Sequence, residues 1–397
     1  MLRHGEDAHQ RVWSALDAFR IEVPSWGFSN TGTRFGKFMQ PGAATTIEEK
    51  FSDAAQVNAL TGASPSIALH VLWDLPSGNA DVPSVQALAK KYGVKVGSIN
   101  PNLFQDQEYK YGSIANPSAE VRQRALKHLL DSVEIGQALQ AKDVSLWISD
   151  GSSYPGTQSI RNRIGWMEEV LGEMHAALGN DQRMLVEYKP FEPFFYHTDI
   201  ADWGMALELA RRAGPKAKVL VDTGHHYQGT NIEQIVAWLL HLGALGGFHF
   251  NDRKYADDDL TLGSIDPYQV FRIFHEILST DNAARADIAL MIDQSHNLKG
   301  KMEAMVQTVI TAQELYAKAA LVEHVHLAEL QQDCKLVEAE EYFRSAFWHD
   351  VRPIVQAWRE AKLLSVDPLK ALAESGYVEQ ITRDRKNRNS AGGSQYA

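Results

Sequence analysis

Residues 218–251, KVLVDTGHHYQGTNIEQIVAWLLHLGALGGFHFN, hold a strand, a helix and a second strand in succession. KVLVD is an apolar run of strand length that ends on Asp222, with His225 three residues further on. IEQIVAWLL reads as the helix, with Thr230 and Glu233 in a capping-box pattern before it and Gly243 just past its end. GGFHF is then the next buried strand, carrying His249 near its end. A strand, a helix and a further strand make the repeating unit of a parallel sheet.

The same alternation extends in both directions. Strand candidates fall near 24–29, 66–73, 95–101, 144–149, 183–189, 218–223, 246–251 and 288–293, with helical stretches between them. Eight strands separated by helices predict a closed parallel (β/α)8 barrel, the TIM barrel of the α/β class. A doubly wound open sheet is the rival, but no glycine-rich nucleotide loop is present. Before the barrel, residues 6–20 form an amphipathic segment with Val12, Trp13, Leu16 and Phe19 on one helical face. In DPYQVFRIFHEIL, Pro267 stands at a first-turn position of the seventh helix. Residues 1–299 are thus expected to form the barrel and residues 300–397 a C-terminal α-helical extension. Helical stretches at 300–333, 336–363 and 367–384 are expected to bury their apolar faces on a neighbouring subunit, or else on the same barrel. A disordered polar tail is expected from about 386.

Composition narrows the function. The formal charge of -11 disfavours nucleic acid or an anionic membrane as partner, and also an anionic substrate. With Cys334 alone there is no internal disulfide, and no apolar run approaches the roughly 20 residues of a membrane span. The polar start MLRHGEDAHQRVW lacks a signal-peptide core, so a cytoplasmic protein is expected.

Chemistry gathers where the strands end. LVEYKPFEP, VLVDTGHH, GGFHFND and LMIDQSH aim Glu187, Asp222, His249 and Asp293 at one place, which predicts a divalent metal site. His225, with Asp257 and Asp259 of YADDDL, predicts a second metal beside the first, because five carboxylates gathered without cations would repel one another. In an extended loop Asp257 and Asp259 share a face and Asp258 points away. Asp222 is the natural bridge between the two cations, and Gly224 would let the chain turn sharply after it. Oxygen-rich sites with one imidazole suit manganese first, with cobalt or magnesium as alternatives.

Lys189 lies two residues beyond Glu187 on the same side of its strand, placed to contact a substrate oxygen or to form a buried ion pair. His70 ends the second strand and is a candidate for moving a proton, or a packed core residue. Trp26, Phe35, Trp73 and Trp147 stand at or after strand ends, where aromatic faces would line a sugar pocket or simply fill the core.

The strings PSWGFSNTGTRFG, LHVLWD, NPNLFQDQEYKYGS, LWISDG, EYKPFEP, VDTGHH, GGFHFNDRKYADDDL and MIDQSHN occur in order through most of the chain. Together they resemble the xylose-isomerase-like barrel superfamily and, within it, the broad-specificity bacterial L-rhamnose isomerases. The resemblance implies a structural metal on Glu187, Asp222, His249 and Asp293 and a catalytic metal on His225, Asp257 and Asp259. It also implies ring opening by His70, substrate contact by Lys189, a pocket wall at Trp147, and a homotetramer in which Phe35 closes the neighbouring site. The implied reaction interconverts an aldose and its 2-ketose, L-rhamnose to L-rhamnulose first and D-allose to D-psicose second. Asp293 is expected to orient the water that serves as base. Three alternatives remain at this point: a single-metal ketose 3-epimerase, a metal-dependent endonuclease disfavoured by charge, and a noncatalytic sugar-binding module.

Overall fold

The computed structural model describes residues 6–30, 38–190 and 197–389. Its strands are β1 (Val23–Pro24), β2 (Ser66–His70), β3 (Lys95–Asn100), β4 (Asp143–Leu146), β5 (Arg183–Glu187), β6 (Ala217–Asp222), β7 (Leu245–Phe250) and β8 (Ala289–Ile292). All pairs are parallel and follow chain order. Glu22 closes the ring: its N–H donates to the Leu290 carbonyl at 2.8 Å, and its carbonyl accepts from Ile292 N at 2.9 Å. The protein is therefore a TIM barrel with additional C-terminal helices.

Strand alternation sorts the side chains into two cores. Val186, Val219, Val221, Phe248, Phe250 and Ile292 point outward and pack with the helices in the large core. Leu185, Leu220 and Met291 form a separate small cluster against Ala289. These three stand two positions before Glu187, Asp222 and Asp293, so the barrel's apolar filling is a floor beneath those carboxylates. Gly247 stands two positions before His249; a Cβ there would lie 2.7 Å from the Ala289 carbonyl, so only glycine fits.

Local structure departs from expectation in four places. The first strand is only two residues long, because the chain turns into a 3-10 turn at Ser25–Phe28. The second strand ends at His70, where Asp74 accepts from His70 N at 2.8 Å and the short helix Val71–Asp74 begins. The helix Ile232–His241 is capped by Asn231, which accepts from Gln234 N, and not by Thr230; Glu233 instead pairs with Arg272 at 2.6 Å. The last helix, Tyr377–Asn389, runs past the point where a disordered tail was expected. Arg385 explains its order: the guanidinium is buried and donates to both carboxylate oxygens of Asp53, at 2.8 and 2.9 Å.

The opening helix, Glu6–Ala18, is amphipathic as read, with Val12 and Leu16 fully buried and Phe19 buried just beyond its end. It packs against the long helix Lys301–Ala320, which also covers Pro267–Ser279. The extension thus buries its inner surface on its own barrel, while Leu336, Val337, Trp348 and Leu363 stay exposed. No helix among the described residues is long and apolar enough to cross a membrane.

Candidate active site

Parallel strands all point the same way, so their C-terminal ends share one rim. Ligand atoms of Glu187, Asp222, His249 and Asp293 lie there within 4.8 Å of one another, as do those of Asp222, His225 and Asp257. Asp222 belongs to both groups. Register explains the meeting: Asp222 and His249 are direct partners across β6 and β7, and Glu187 ends the adjacent β5.

Among the described residues, many of these atoms are buried without a hydrogen-bond partner. Glu187 Oε1, both ring nitrogens of His249 and Asp257 Oδ1 are in that state. An unsatisfied buried polar group costs about 1–3 kcal/mol, more if charged, so the cluster calls for something to occupy it. Its charges say what. Burial pushes Asp222 up to about 7, with Glu187, Asp257 and Asp293 adding to the rise against His225. Burial also raises Asp259 well above the carboxylate range, helped by Asp257, Asp293 and Asp222. Burial disfavours charge on His249, yet Glu187, Asp293 and Asp222 outweigh it and raise the imidazole to about 9. Burial likewise opposes ionised Glu187, but the two histidines prevail and hold it at about 2. A crowded anionic cluster with orphaned oxygen and imidazole atoms fits divalent cations.

Asp259 is the exception. It has a positive φ of 48°, so the loop is not extended there, and it stands outside both ligand groups. Asp258 does point away: its carboxylate accepts from Lys254 N at 2.6 Å and Tyr255 N at 2.8 Å, tying off the loop. Asp257 is held by Lys189, whose Nζ donates to Oδ2 at 2.5 Å. That Nζ also lies over the Trp147 ring, 5.5 Å from its centroid, joining the acidic cluster to an aromatic wall.

The wall is continuous. Trp26 lies 4.6 Å from His70, His70 4.1 Å from Trp73 and 5.9 Å from Phe104, and Phe104 5.0 Å from Trp147, centroid to centroid. Burial pulls His70 down to about 3, so its ring is neutral at physiological pH, and its Nδ1 has no hydrogen-bond partner among the described residues. Phe35 lies outside the described residues.

A model of the xylose isomerase-like TIM barrel matches residues 70–277. The chain belongs to that family. A "Probable sugar isomerase" of Rhizobium meliloti (strain 1021) is 37% identical over 392 residues, covering 97% of this chain and 90% of that protein. The xylose isomerase of Thermus thermophilus is 30% identical over 184 residues, 43% of this chain and 46% of that protein. Among solved structures, an L-ribulose 3-epimerase superposes with a TM-score of 0.56 at 14% identity, covering 80% of this chain and 98% of that one. At such identity the likeness concerns the fold.

Within this xylose isomerase-like barrel, three features escaped the sequence. Phe104 follows β3 as the other wall residues follow their strands, a signal that was available. Asn251 lies two residues beyond His249 and donates from Nδ2 to Asp222 at 3.0 Å, while Gly224 N donates to the same oxygen at 2.6 Å. Gly224 is needed for this close approach and not for a left-handed turn: a Cβ there would lie 2.3 Å from Asn251 Oδ1. Tyr188 supports both histidines, with its carbonyl 3.1 Å from His225 Nδ1 and its hydroxyl 2.7 Å from His226 Nε2. His226 accordingly turns away from the ligand groups.

Proposed function

We propose that the chain is a metal-dependent aldose-ketose isomerase, with L-rhamnose to L-rhamnulose as its first substrate pair and D-allose to D-psicose as its second. The observation that carries this is the pair of ligand groups sharing Asp222, with orphaned donor atoms in both. Glu187, Asp222, His249 and Asp293 would hold one cation, and Asp222, His225 and Asp257 the other, with Asp259 close by. Divalent ions bound there, manganese first, would polarise sugar oxygens and stabilise the negative charge that develops on them.

The chain's own residues supply the rest. The aromatic wall of Trp26, His70, Trp73, Phe104 and Trp147 offers ring faces to the C–H surface of a sugar. Neutral His70 would exchange a proton with the sugar during ring opening. Lys189 would shift from Asp257 toward a substrate oxygen, where its ammonium favours a developing negative charge. Asp293, with a side chain 27% exposed at the rim, would orient the proton acceptor as hydrogen moves between C1 and C2. A homotetramer would place the partner subunit's Phe35 over the mouth.

The barrel fold is shared with a ketose epimerase, since an L-ribulose 3-epimerase superposes on it. The second ligand group favours the isomerase. The test is a panel of aldoses and ketoses assayed on metal-stripped protein before and after manganese, with bound metal counted. Two ions per chain and manganese-restored interconversion of L-rhamnose are expected. One ion with C3 epimerisation of ketoses would overturn the reading, and L-rhamnose among the poorest substrates would remove the specific sugar.

A further inference from the structure

Trp26 belongs to the wall by its ring, but its N–H points elsewhere. Nε1 donates to Asp293 Oδ1 at 2.8 Å, and the residue is only 7% exposed. An indole has one donor and no acceptor, so this contact can only restrain a carboxylate. Among the described residues it is the sole hydrogen bond to the Asp293 side chain. Asp293 lies just past the last residue of β8; its N–H still donates to the Phe250 carbonyl at 3.1 Å, so the backbone is fixed and the side chain is left to the indole. Its other oxygen, Oδ2, is left 3.6 Å from His249 Nδ1.

The turn that carries Trp26 is itself fixed against this strand end. A Cβ on Gly27 would lie 3.0 Å from the Gln294 carbonyl and 2.6 Å from Met305 Cε, so the Ser25–Phe28 turn abuts the residue after Asp293. The turn closes on itself through Ser29 N donating to the Trp26 carbonyl at 3.1 Å. Trp26 and Asp293 are 267 residues apart, and the ring closure between β8 and β1 brings them together.

We propose that Trp26 is a positioning residue: its N–H holds one oxygen of Asp293 so that the other is turned toward His249 and Glu187, and this sets the divalent-ion affinity of the four-residue group. The proposal rests on reading that group as a cation site. Partners that orient metal ligands in this way are typically worth about 10–100-fold in metal affinity.

The experiment is a manganese titration of metal-stripped full-length protein, read by paramagnetic resonance, on the wild type, Trp26→Phe, Asp293→Asn and the double variant. Phenylalanine keeps a ring beside His70 and deletes the donor. Trp26→Phe is expected to weaken manganese binding at least about 10-fold, and to add nothing once Asp293 is Asn, because coupled residues are not additive. Gly27→Ala keeps the indole but presses the turn away from Gln294, and it is expected to weaken binding in the same direction. Unchanged affinity in both Trp26→Phe and Gly27→Ala, or losses that multiply in the double variant, would overturn the proposal. A wild type that binds no manganese would instead overturn the cation-site reading.

Discussion

Arg183 and Glu187 stand at opposite ends of β5, both buried, and their surroundings differ in kind. At the N-terminal end Arg183 donates to both oxygens of Asp143, at 2.8 and 3.1 Å, and to Asp287 Oδ2 at 2.9 Å, while Lys142 pairs with Asp287 at 2.5 Å. Two cations meet two acids, and the network closes on itself. At the C-terminal end Glu187, Asp222, Asp257, Asp259 and Asp293 face one ammonium, Lys189, and two imidazoles whose protonation they must share. Among the described residues the acids there outnumber the cations. At the first end buried Arg183 and Asp143 are matched in charge, whereas the excess of acids at the other is an arrangement that could hold a divalent ion.

The contrast can be broken at either end. The largest expected effect lies at the open network, where Asp293→Asn should leave the fold intact but lower turnover roughly 100-fold to 10,000-fold, the range typical of a lost proton-transfer group. Near-normal kcat with both ions bound would sink the role given to Asp293. At the closed network Arg183→Met should leave metal count unchanged but cost about 3–5 kcal/mol in urea unfolding, because it strands buried Asp143. Adding Asp143→Leu should recover much of that loss; if it does not, the pair was not what held this end.

Between the two ends lies Glu22, and it sharpens the comparison. Its carboxylate accepts from Ser98 Oγ at 2.6 Å, in a space left open by Gly97. Burial pushes it up to about 7 from 4.5, against the hydrogen bonds of Ser98 and Ser66. The folded state therefore keeps this proton where the unfolded chain releases it. The associated stability is present below about pH 4.5 and lost as pH rises through about 7. Glu22→Gln should flatten that fall, by on the order of 3 kcal/mol at most for such a shift. An identical pH profile in wild type and Glu22→Gln would refute the buried acid.

Much of this was legible beforehand because strands and helices have different periods. KVLVD and GGFHF became β6 and β7, and their last polar residues became rim groups, since parallel strands ending at one rim leave such residues no other place. What the sequence did not resolve was local. Asn231 displaced Thr230 as a cap, a shift of one residue that propensity does not resolve. Asp259 carries a positive φ and stands outside both ligand groups, and nothing in DDD announces which residue will bear that φ. Trp26 does stand in the aromatic wall, but sequence shows a ring and not the direction of its N–H.

By itself, the order of residues determined the barrel, its parallel sense and the acids and imidazoles that crowd one end of it. Those follow from hydrophobic period and chain direction, which are local. Asp222 as the shared acid was also read from the sequence; only the tertiary structure decided that Lys189 holds Asp257 and that Trp26 reaches Asp293 across the whole chain. The reason is that a closed ring makes neighbours of its first and last strands, and side-chain contacts over that distance depend on register and rotamer, not on spacing in the chain.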